Sequence, residues 1–194
     1  SYFLSFILSA SYMWMEFDAI NLDRMLRLYR VEGNYNDDGS NSKTLTSAPY
    51  GSGGAVNFVS ETPYGHVSGS SSRQVIQFGG TGGRLFTDGS GLPSGTNSRT
   101  MIGWFKQSTA GVDVPFGYGK AEVGKSFNAY LTNSRIFIDF WAGCESIASS
   151  AFNSNQWYHV AYTWDGTNSN LKMYIGGSEF SSATGSCNTP NTAT

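Results

Sequence analysis

Hydrophobic and polar positions alternate with a period of two along much of the chain, most clearly in the run WYHVAYTW at residues 157–164. Because successive side chains of a strand point to opposite faces, this alternation predicts two different environments. One face is continuously apolar and consists of Tyr158, Val160, Tyr162 and Trp164. The other face is mixed and consists of Trp157, His159, Ala161 and Thr163. The run therefore predicts a half-buried strand, which ends at the turn-forming pair Asp165-Gly166.

Two hairpins lie on either side of this strand in the sequence. Residues 126–141 (SFNAYLTNSRIFIDFW) predict two strands joined around Thr132-Asn133-Ser134, because asparagine tolerates a positive φ. Residues 171–182 (LKMYIGGSEFSS) predict a second hairpin that turns at Gly176-Gly177. In the second strand of the first hairpin, one face holds Ile136, Ile138 and Phe140, and the other holds Phe137, Asp139 and Trp141.

The upstream half continues the same punctuation of short apolar runs and Gly/Asn/Asp/Ser turns. Strands are predicted at 26–31, 53–59 and 73–80, with a polar loop at 32–42. The run RTMIGWFKQ at 99–107 is apolar on both faces, which predicts a strand that is covered on both sides. About eleven short strands with no helical period after residue 28 predict an all-β fold, an antiparallel two-sheet sandwich.

Composition agrees with this fold and excludes several functions. Charged residues make up 13% of the 194-residue chain, and the net charge is −2, so no electrostatic footprint for nucleic acid or an anionic membrane is present. The apolar run from Tyr2 to Met15 is interrupted by Glu16 and Asp18 before it reaches the ~20 residues of a membrane span. It has no basic region before it, so the chain resembles a processed or excised piece whose apolar start must be buried.

The two cysteines, Cys144 and Cys187, form no CxxC motif and no Cys/His cluster with the spacing of a metal site. Both lie at or after the ends of predicted strands, which suits one structural disulfide and an oxidising compartment. Two free thiols are the alternative, because sequence alone does not give the pairing.

The segment NQWYHVAYTWDGTNSNLKMYIGGSEF at 155–180 resembles the laminin-G-like, concanavalin-A-like lectin/glucanase jelly rolls. LYRVEGNYNDDGSN (28–41), QVIQFGGTGGRLFT (74–87) and RTMIGWFKQ follow the order of that family. The resemblance implies a jelly-roll β-sandwich over residues 26–187, preceded by an apolar N-terminal extension at 1–25 and followed by a polar tail at 188–194. Family members usually close with a strand beside the first one. This chain ends in the polar SCNTPNTAT, whereas the strand-capable SYFLSFILSA lies at its start.

The candidate catalytic residues do not make a complete site. The sequence contains no GxSxG nucleophile motif for which His159 could act as the base. We therefore expect His159 to be a structural histidine. Glycoside hydrolases of the same jelly roll contain a Glu-x-Asp-x-Glu pattern. Glu16 and Asp18 would fit the nucleophile and its helper in this pattern. No general acid follows them at the required spacing, because the next positions are Ala19, Ile20 and Asn21. We therefore expect no enzymatic activity.

The loop NYNDDGSN suggests a weak calcium site at Asp37 and Asp38, because hard oxygen ligands are those that Ca²⁺ takes. The alternative is a solvated turn rich in Asn and Asp. No other cofactor is expected. Some aromatic residues could stack on sugar rings or could be ordinary residues of the sheet surface, and these are Tyr35, Tyr50, Tyr64 and Trp141.

The sequence thus predicts a non-enzymatic extracellular module for adhesion, glycan binding or cell-surface assembly, with a surface glycan or protein as partner. The alternative is a structural subunit of an extracellular filament or other surface or virion assembly, which self-associates through its N-terminal segment, as a donated strand or as a helix. The residues expected to drive this assembly are Tyr2, Phe3, Leu4, Phe6, Ile7 and Leu8. A glycoside hydrolase of the same fold is the third hypothesis.

Overall fold

The computed structural model describes residues 11–14, 34–36, 39, 42–47, 54–61, 73–79, 82–109, 111–141, 145–147, 151–166 and 171–183. Within these ranges the chain forms thirteen strands and no helix. The strands are β1 Ser11–Trp14, β2 Thr46–Ser47, β3 Val56–Glu61, β4 Arg73–Phe78, β5 Leu85–Phe86, β6 Arg99–Gln107, β7 Asp113–Gly119, β8 Ser126–Thr132, β9 Arg135–Asp139, β10 Glu145–Ile147, β11 Trp157–Trp164, β12 Leu171–Ile175 and β13 Ser178–Ala183.

Two main sheets form the sandwich. The larger sheet has the strand order β13-β12-β11-β6-β1-β4-β3, and the smaller sheet has the order β10-β9-β8-β7. Strands β2 and β5 form a short additional pair. Every pairing is antiparallel. The predicted all-β sandwich is therefore confirmed, although the predicted first strand at 26–31 and the polar tail lie outside the described residues.

The two predicted hairpins are confirmed, and their turns explain why the strands reverse there. Asn133 and Ser134 have φ values of 49° and 58°, and Gly176 and Gly177 have φ values of 58° and 84°. Positive φ at both central residues defines the two-residue turn whose twist matches that of the flanking strands. Glycine takes this conformation at no steric cost, and asparagine takes it more readily than most residues.

The core lies between the two sheets and is largely aromatic. Tyr162 of β11 is fully buried, and its ring centroid lies 4.7 Å from that of Phe127 on β8 and 5.9 Å from that of Phe116 on β7. The predicted apolar face of β11 is confirmed as the core-facing side, because Val160, Tyr162 and Trp164 are buried in the main cluster. Tyr158 is half-buried at the margin of that cluster.

A second, smaller apolar cluster lies on the opposite face of the larger sheet. It consists of Val75, Trp104 and Trp157, with the half-buried Val59 packed against it. The run at 99–107 is thus covered only in part on this face, because Trp104 is buried whereas Thr100 is exposed and Ile102 is half-buried. The cluster also shows that the face of β11 predicted as mixed contributes one large buried residue, Trp157.

Strand β1 brings part of the predicted N-terminal extension into the larger sheet. Tyr12 is in register with Lys106 of β6 on one side and with Gln77 of β4 on the other. Residues 11–14 therefore lie between two strands that are far from them in the sequence. Residues 1–10 and 15–33 lie outside the described residues, so the alternatives of strand and helix for the rest of the extension stay predictions.

Candidate functional site

The exposed Trp141 follows the last residues of β9 and lies at one end of the smaller sheet. Its side chain is 38% exposed, and its backbone has φ of 79°. A positive φ is a true outlier for a bulky residue, because the side chain crowds the backbone there. The backbone N–H of Trp141 donates to Oδ1 of Asp139 at 2.7 Å, and this hydrogen bond holds the tight bend. The chain thus maintains a strained backbone at an exposed aromatic residue, which is typical of functional positions.

A row of buried polar side chains lies next to Trp141 on the outer face of the smaller sheet. Asp139 is directly opposite Asn128 in the β8–β9 register, and the two side chains are only 6% and 7% exposed. Asn128 Nδ2 donates to Ser126 Oγ at 2.9 Å, and Ser126 Oγ approaches the backbone oxygen of Asp139 at 3.5 Å. These hydrogen bonds link β8 to the residue that holds Trp141.

Gly117 of β7 makes room for the Asn128 side chain. The two residues are in register, and a Cβ on Gly117 would come within 2.1 Å of Asn128 Oδ1. Real Cβ atoms do not approach that closely, so any side chain at Gly117 would displace the amide of Asn128. The glycine therefore allows the polar row to form against the strand.

The hairpin register could have identified this row from the sequence. A two-residue turn at Asn133-Ser134 places Thr132 opposite Arg135, and counting back places Asn128 opposite Asp139. The alternation of residues 135–141 assigned Asp139 and Trp141 to one face, but alternation alone did not pair them with β8. The position of Gly117 depends on a pairing with an irregular register between Asp113 and Phe116, which no sequence signal predicted.

His159 lies on β11 of the larger sheet, whereas Trp141 lies at the end of the smaller one. Its half-buried ring packs against Trp104 at a centroid distance of 4.9 Å. Close by, the carboxylate of Glu61 accepts hydrogen bonds from Trp157 Nε1 at 3.2 Å and from Lys106 Nζ. The side chains of Lys106 and Glu61 are largely buried in this contact. The contacts agree with a histidine and an ion pair that pack the outer face of the larger sheet.

Most other candidate residues lie outside the described residues. This applies to Asp37 and Asp38, to Cys144 and Cys187, and to the assembly segment at residues 2–8. It applies equally to the aromatic and acidic candidates Tyr50, Tyr64, Glu16 and Asp18.

Tyr35 is described, and it packs inward rather than standing free. Its ring stacks on Phe58 with centroids 4.7 Å apart, and burial raises the pKa of its hydroxyl. Phe58 in turn packs against the main core cluster. Among the candidate sugar-stacking aromatics that the structure describes, Trp141 is thus the exposed one.

Over the described ranges, no group of three or more His, Cys, Asp or Glu side chains is arranged to hold a metal ion. The same part of the chain contains no helix with the length and hydropathy that a membrane crossing requires.

A family model described as the concanavalin A-like lectin/glucanases superfamily, of laminin G type, matches residues 78–194. This match covers more than half of the 194-residue chain and includes β5 to β13. No curated protein and no solved structure gives a significant match. The family model agrees with the two antiparallel sheets and with the resemblance of residues 155–180. The chain therefore belongs to the concanavalin A-like lectin/glucanase superfamily.

Proposed function

We propose that this chain is a non-enzymatic extracellular module that binds a glycan through Trp141 and serves adhesion or cell-surface assembly. The observation that supports this proposal is the exposed indole of Trp141 on a strained backbone. Its φ of 79° is held by the hydrogen bond from the backbone N–H to Asp139. An indole has a broad apolar face and an N–H donor, and a sugar ring has an apolar face and hydroxyl groups. The two are therefore complementary.

The polar row beside Trp141 supports the proposal by fixing the backbone that carries the ring. Asp139 is almost fully buried, and its Oδ1 already accepts a hydrogen bond from the backbone of Trp141. Binding sites whose contact residues are held by buried hydrogen bonds lose less conformational entropy when a ligand binds. We infer that Asp139 positions the platform rather than reacting with a substrate. This role agrees with the absence of a complete Glu-x-Asp-x-Glu pattern in the sequence.

The test starts with a glycan array that uses the intact chain, followed by titration of the best glycan. Trp141→Gly removes the ring and suits the positive φ, so the fold should be retained while glycan binding is lost. Trp141→Phe keeps an aromatic face and should retain part of the affinity. Phe180→Gly is the matched control, because Phe180 is 37% exposed and lies on β13 at the edge of the larger sheet. Unchanged binding by Trp141→Gly would refute the proposal.

The non-enzymatic part of the proposal has its own assay. The intact chain is incubated with β-glucans and with the glycans that the array identifies, and the products are separated by chromatography. We expect no new reducing ends. Hydrolysis that persists in the purified chain would establish the third hypothesis, a glycoside hydrolase of the same fold.

Assembly into a filament is a second candidate function, and the position of β1 favours it. This strand pairs with β6 and β4 on both sides, so it completes the larger sheet from an N-terminal segment. A strand from a neighbouring copy would fill the same place, and such a head-to-tail contact builds filaments when its rotation does not close. We propose that residues 2–8 and β1 together supply this contact in an assembled form.

Electron microscopy of the native protein, with light scattering of a chain that lacks residues 1–10, tests this second function. The deletion keeps β1 and removes the apolar run before it. Filaments of the intact chain that disappear on deletion would support assembly. An intact chain that stays monomeric at high concentration would show that its N-terminal segment folds back on its own domain.

A further inference from the structure

The loop at residues 93–98 precedes β6, and its backbone is held from the inside by side chains of the sandwich. Arg99 Nη2 donates to Gly95 O at 2.7 Å, and Arg99 Nε donates to Asn97 O at 2.9 Å. The hydroxyl of Tyr118 donates to Pro93 O at 2.8 Å. Three of the loop's carbonyl groups therefore point inward and are fixed by donors.

Arg99 holds this loop from a buried position that is unusual for a charged side chain. It is only 6% exposed, and within the described part of the chain no carboxylate lies at ion-pairing distance from its guanidinium. Three aromatic rings surround it instead, those of Trp164 at 4.8 Å, Phe127 at 5.5 Å and Tyr118 at 5.9 Å. Burying a cation without a counter-ion is costly, and the carbonyl groups of the loop offset part of this cost as hydrogen-bond acceptors. These hydrogen bonds therefore have a large effect on the conformation of the loop.

A close backbone contact also constrains the same loop. A Cβ on Gly166 would lie 2.0 Å from Thr96 O, so only glycine lets the turn after β11 approach the loop. Gly166 also has φ of 95°, a conformation that suits glycine. The loop is thus clamped by two contacts, the close approach of the turn after β11 and the hydrogen bonds from the buried guanidinium of Arg99.

The outward side of this clamped loop carries free hydrogen-bonding groups and no charge. Ser94, Thr96, Asn97 and Ser98 are all exposed. Over the described residues, none of these four side chains donates or accepts a hydrogen bond. By contrast, the neighbouring Asp88 is paired with Ser90 and Lys43. Polar groups that stay unused on a fixed backbone are suited to a ligand rich in hydroxyl groups.

The loop lies at the same end of the sandwich as Trp141. Arg99 is in register with Trp164, the last residue of β11. The ring of Phe140 packs edge-on against Trp164 with centroids 5.2 Å apart, and Trp141 follows Phe140 directly. Contacts among buried residues therefore place the loop at the same end of the sandwich as the residue that carries the exposed indole.

We propose that Ser94, Thr96 and Asn97 form a second carbohydrate contact, separate from Trp141, on the loop whose backbone Arg99 holds. The ligand is then an oligosaccharide long enough to reach both places, with its apolar ring face on Trp141 and its hydroxyl groups on the loop. This inference rests on the proposed glycan-binding function. It adds the length of the ligand and the loop residues that contact the end of the ligand away from Trp141.

The experiment uses a matched pair of double variants in the intact chain. Ser94→Ala with Thr96→Val removes two loop hydroxyls with little change in side-chain volume. Ser154→Ala with Thr109→Val makes the same chemical changes at the opposite end of the sandwich, where both residues are exposed and Asn155 N donates to Gln107 O. Melting temperatures confirm that all proteins are folded, and calorimetry measures the affinity for a series of oligosaccharides of increasing length.

In the wild type, affinity should increase with ligand length until the ligand spans both contacts. The loop variant should bind the longest oligosaccharide about tenfold more weakly, because two hydrogen bonds are lost. It should bind the shortest fragment as the wild type does, and the control variant should match the wild type at every length. A loop variant with wild-type affinity at all lengths, or equal losses in both variants, would overturn the inference.

Failure of the underlying function gives a different result. If the wild type binds no glycan, or if Trp141→Gly binds with unchanged affinity, the proposed function fails and the loop contact fails with it. If Trp141→Gly abolishes binding while the loop variant is normal at every length, the proposed function stands and only the second contact is refuted.

Discussion

Replacing Trp164 with alanine tests the assignment of the core-facing side of β11. Trp164 is 2% exposed, and its ring packs against Phe140 and under the guanidinium of Arg99. A buried tryptophan removes about 150–250 Å² from water, which corresponds to roughly 4–6 kcal/mol at about 25 cal/mol per Å². Residual burial in the unfolded chain lowers this by roughly 10–40%. The expected loss is therefore about 3–5 kcal/mol, which is also the range measured for such truncations.

Urea denaturation followed by far-UV circular dichroism measures this loss. With a slope of about 2 kcal/mol per molar urea, the midpoint should fall by about 2 M. The control is Thr163→Ala, because Thr163 is the adjacent residue on the opposite face and is half-buried. That change should cost less than about 1 kcal/mol, the whole span of strand propensities. His159→Ala should also cost far less than the tryptophan change. Equal midpoints for Trp164→Ala and Thr163→Ala would refute the assignment of faces.

Four further outcomes are expected. Gly103→Ala should destabilise the fold by about 1–3 kcal/mol in the same urea assay, because the new Cβ would lie 2.8 Å from the ring of Phe116. An unchanged urea midpoint would contradict that packing. Burial raises the pKa of Tyr118 from 10.0 to about 12, and the nearby Arg99 opposes this shift. The contribution of Tyr118 to the free energy of unfolding is therefore fully present below pH 10. It should fall by about 3 kcal/mol between pH 10 and 12, because the unfolded chain loses the proton first. Unfolding curves of Tyr118→Phe should lose this part of the alkaline dependence, and an identical pH profile would refute it. If Asp37 and Asp38 bind calcium, millimolar calcium should raise the melting temperature relative to excess EDTA, and the difference should vanish in Asp37→Asn with Asp38→Asn. If Cys144 and Cys187 form a disulfide, thiol titration should find no reactive thiols before reduction. Removing the bond should then lower the free energy of unfolding by about 2–5 kcal/mol. Two reactive thiols in the native protein would exclude the bond.

Strand identity followed from the sequence because it depends on local pattern. The period of two in WYHVAYTW, the Gly176-Gly177 pair and the Thr132-Asn133-Ser134 segment predicted β11 and both hairpins, and the structure contains all three. Each of these signals acts within a few residues, since alternation sets the faces and positive-φ residues set the turns. The family resemblance was equally local, because its most specific motif lies within a single stretch at 155–180.

The candidate site was predictable only in part. The sequence offered Trp141 as one of four aromatics that could stack on a sugar or be ordinary residues of the sheet surface. The register of one hairpin would have placed Asn128 beside Asp139. The strain at Trp141 could not be predicted, because its φ depends on a hydrogen bond from its own N–H to the side chain of Asp139 in the folded sheet. Exposure likewise separated Trp141 from Tyr35, which the sequence treated alike and which packs on Phe58.

What the sequence by itself determined is thus the all-β class, the hairpins and the face of β11 that enters the core. The tertiary structure alone decided which strands are neighbours, as when β1 pairs with β6 and β4 across long stretches of sequence. It also decided that Arg99 is buried among three rings and holds the loop at 93–98. The physical reason is that period and turn chemistry act over a few residues. Sheet order and buried hydrogen bonds join residues that are far apart in the chain, and many pairings of distant segments satisfy the same local pattern.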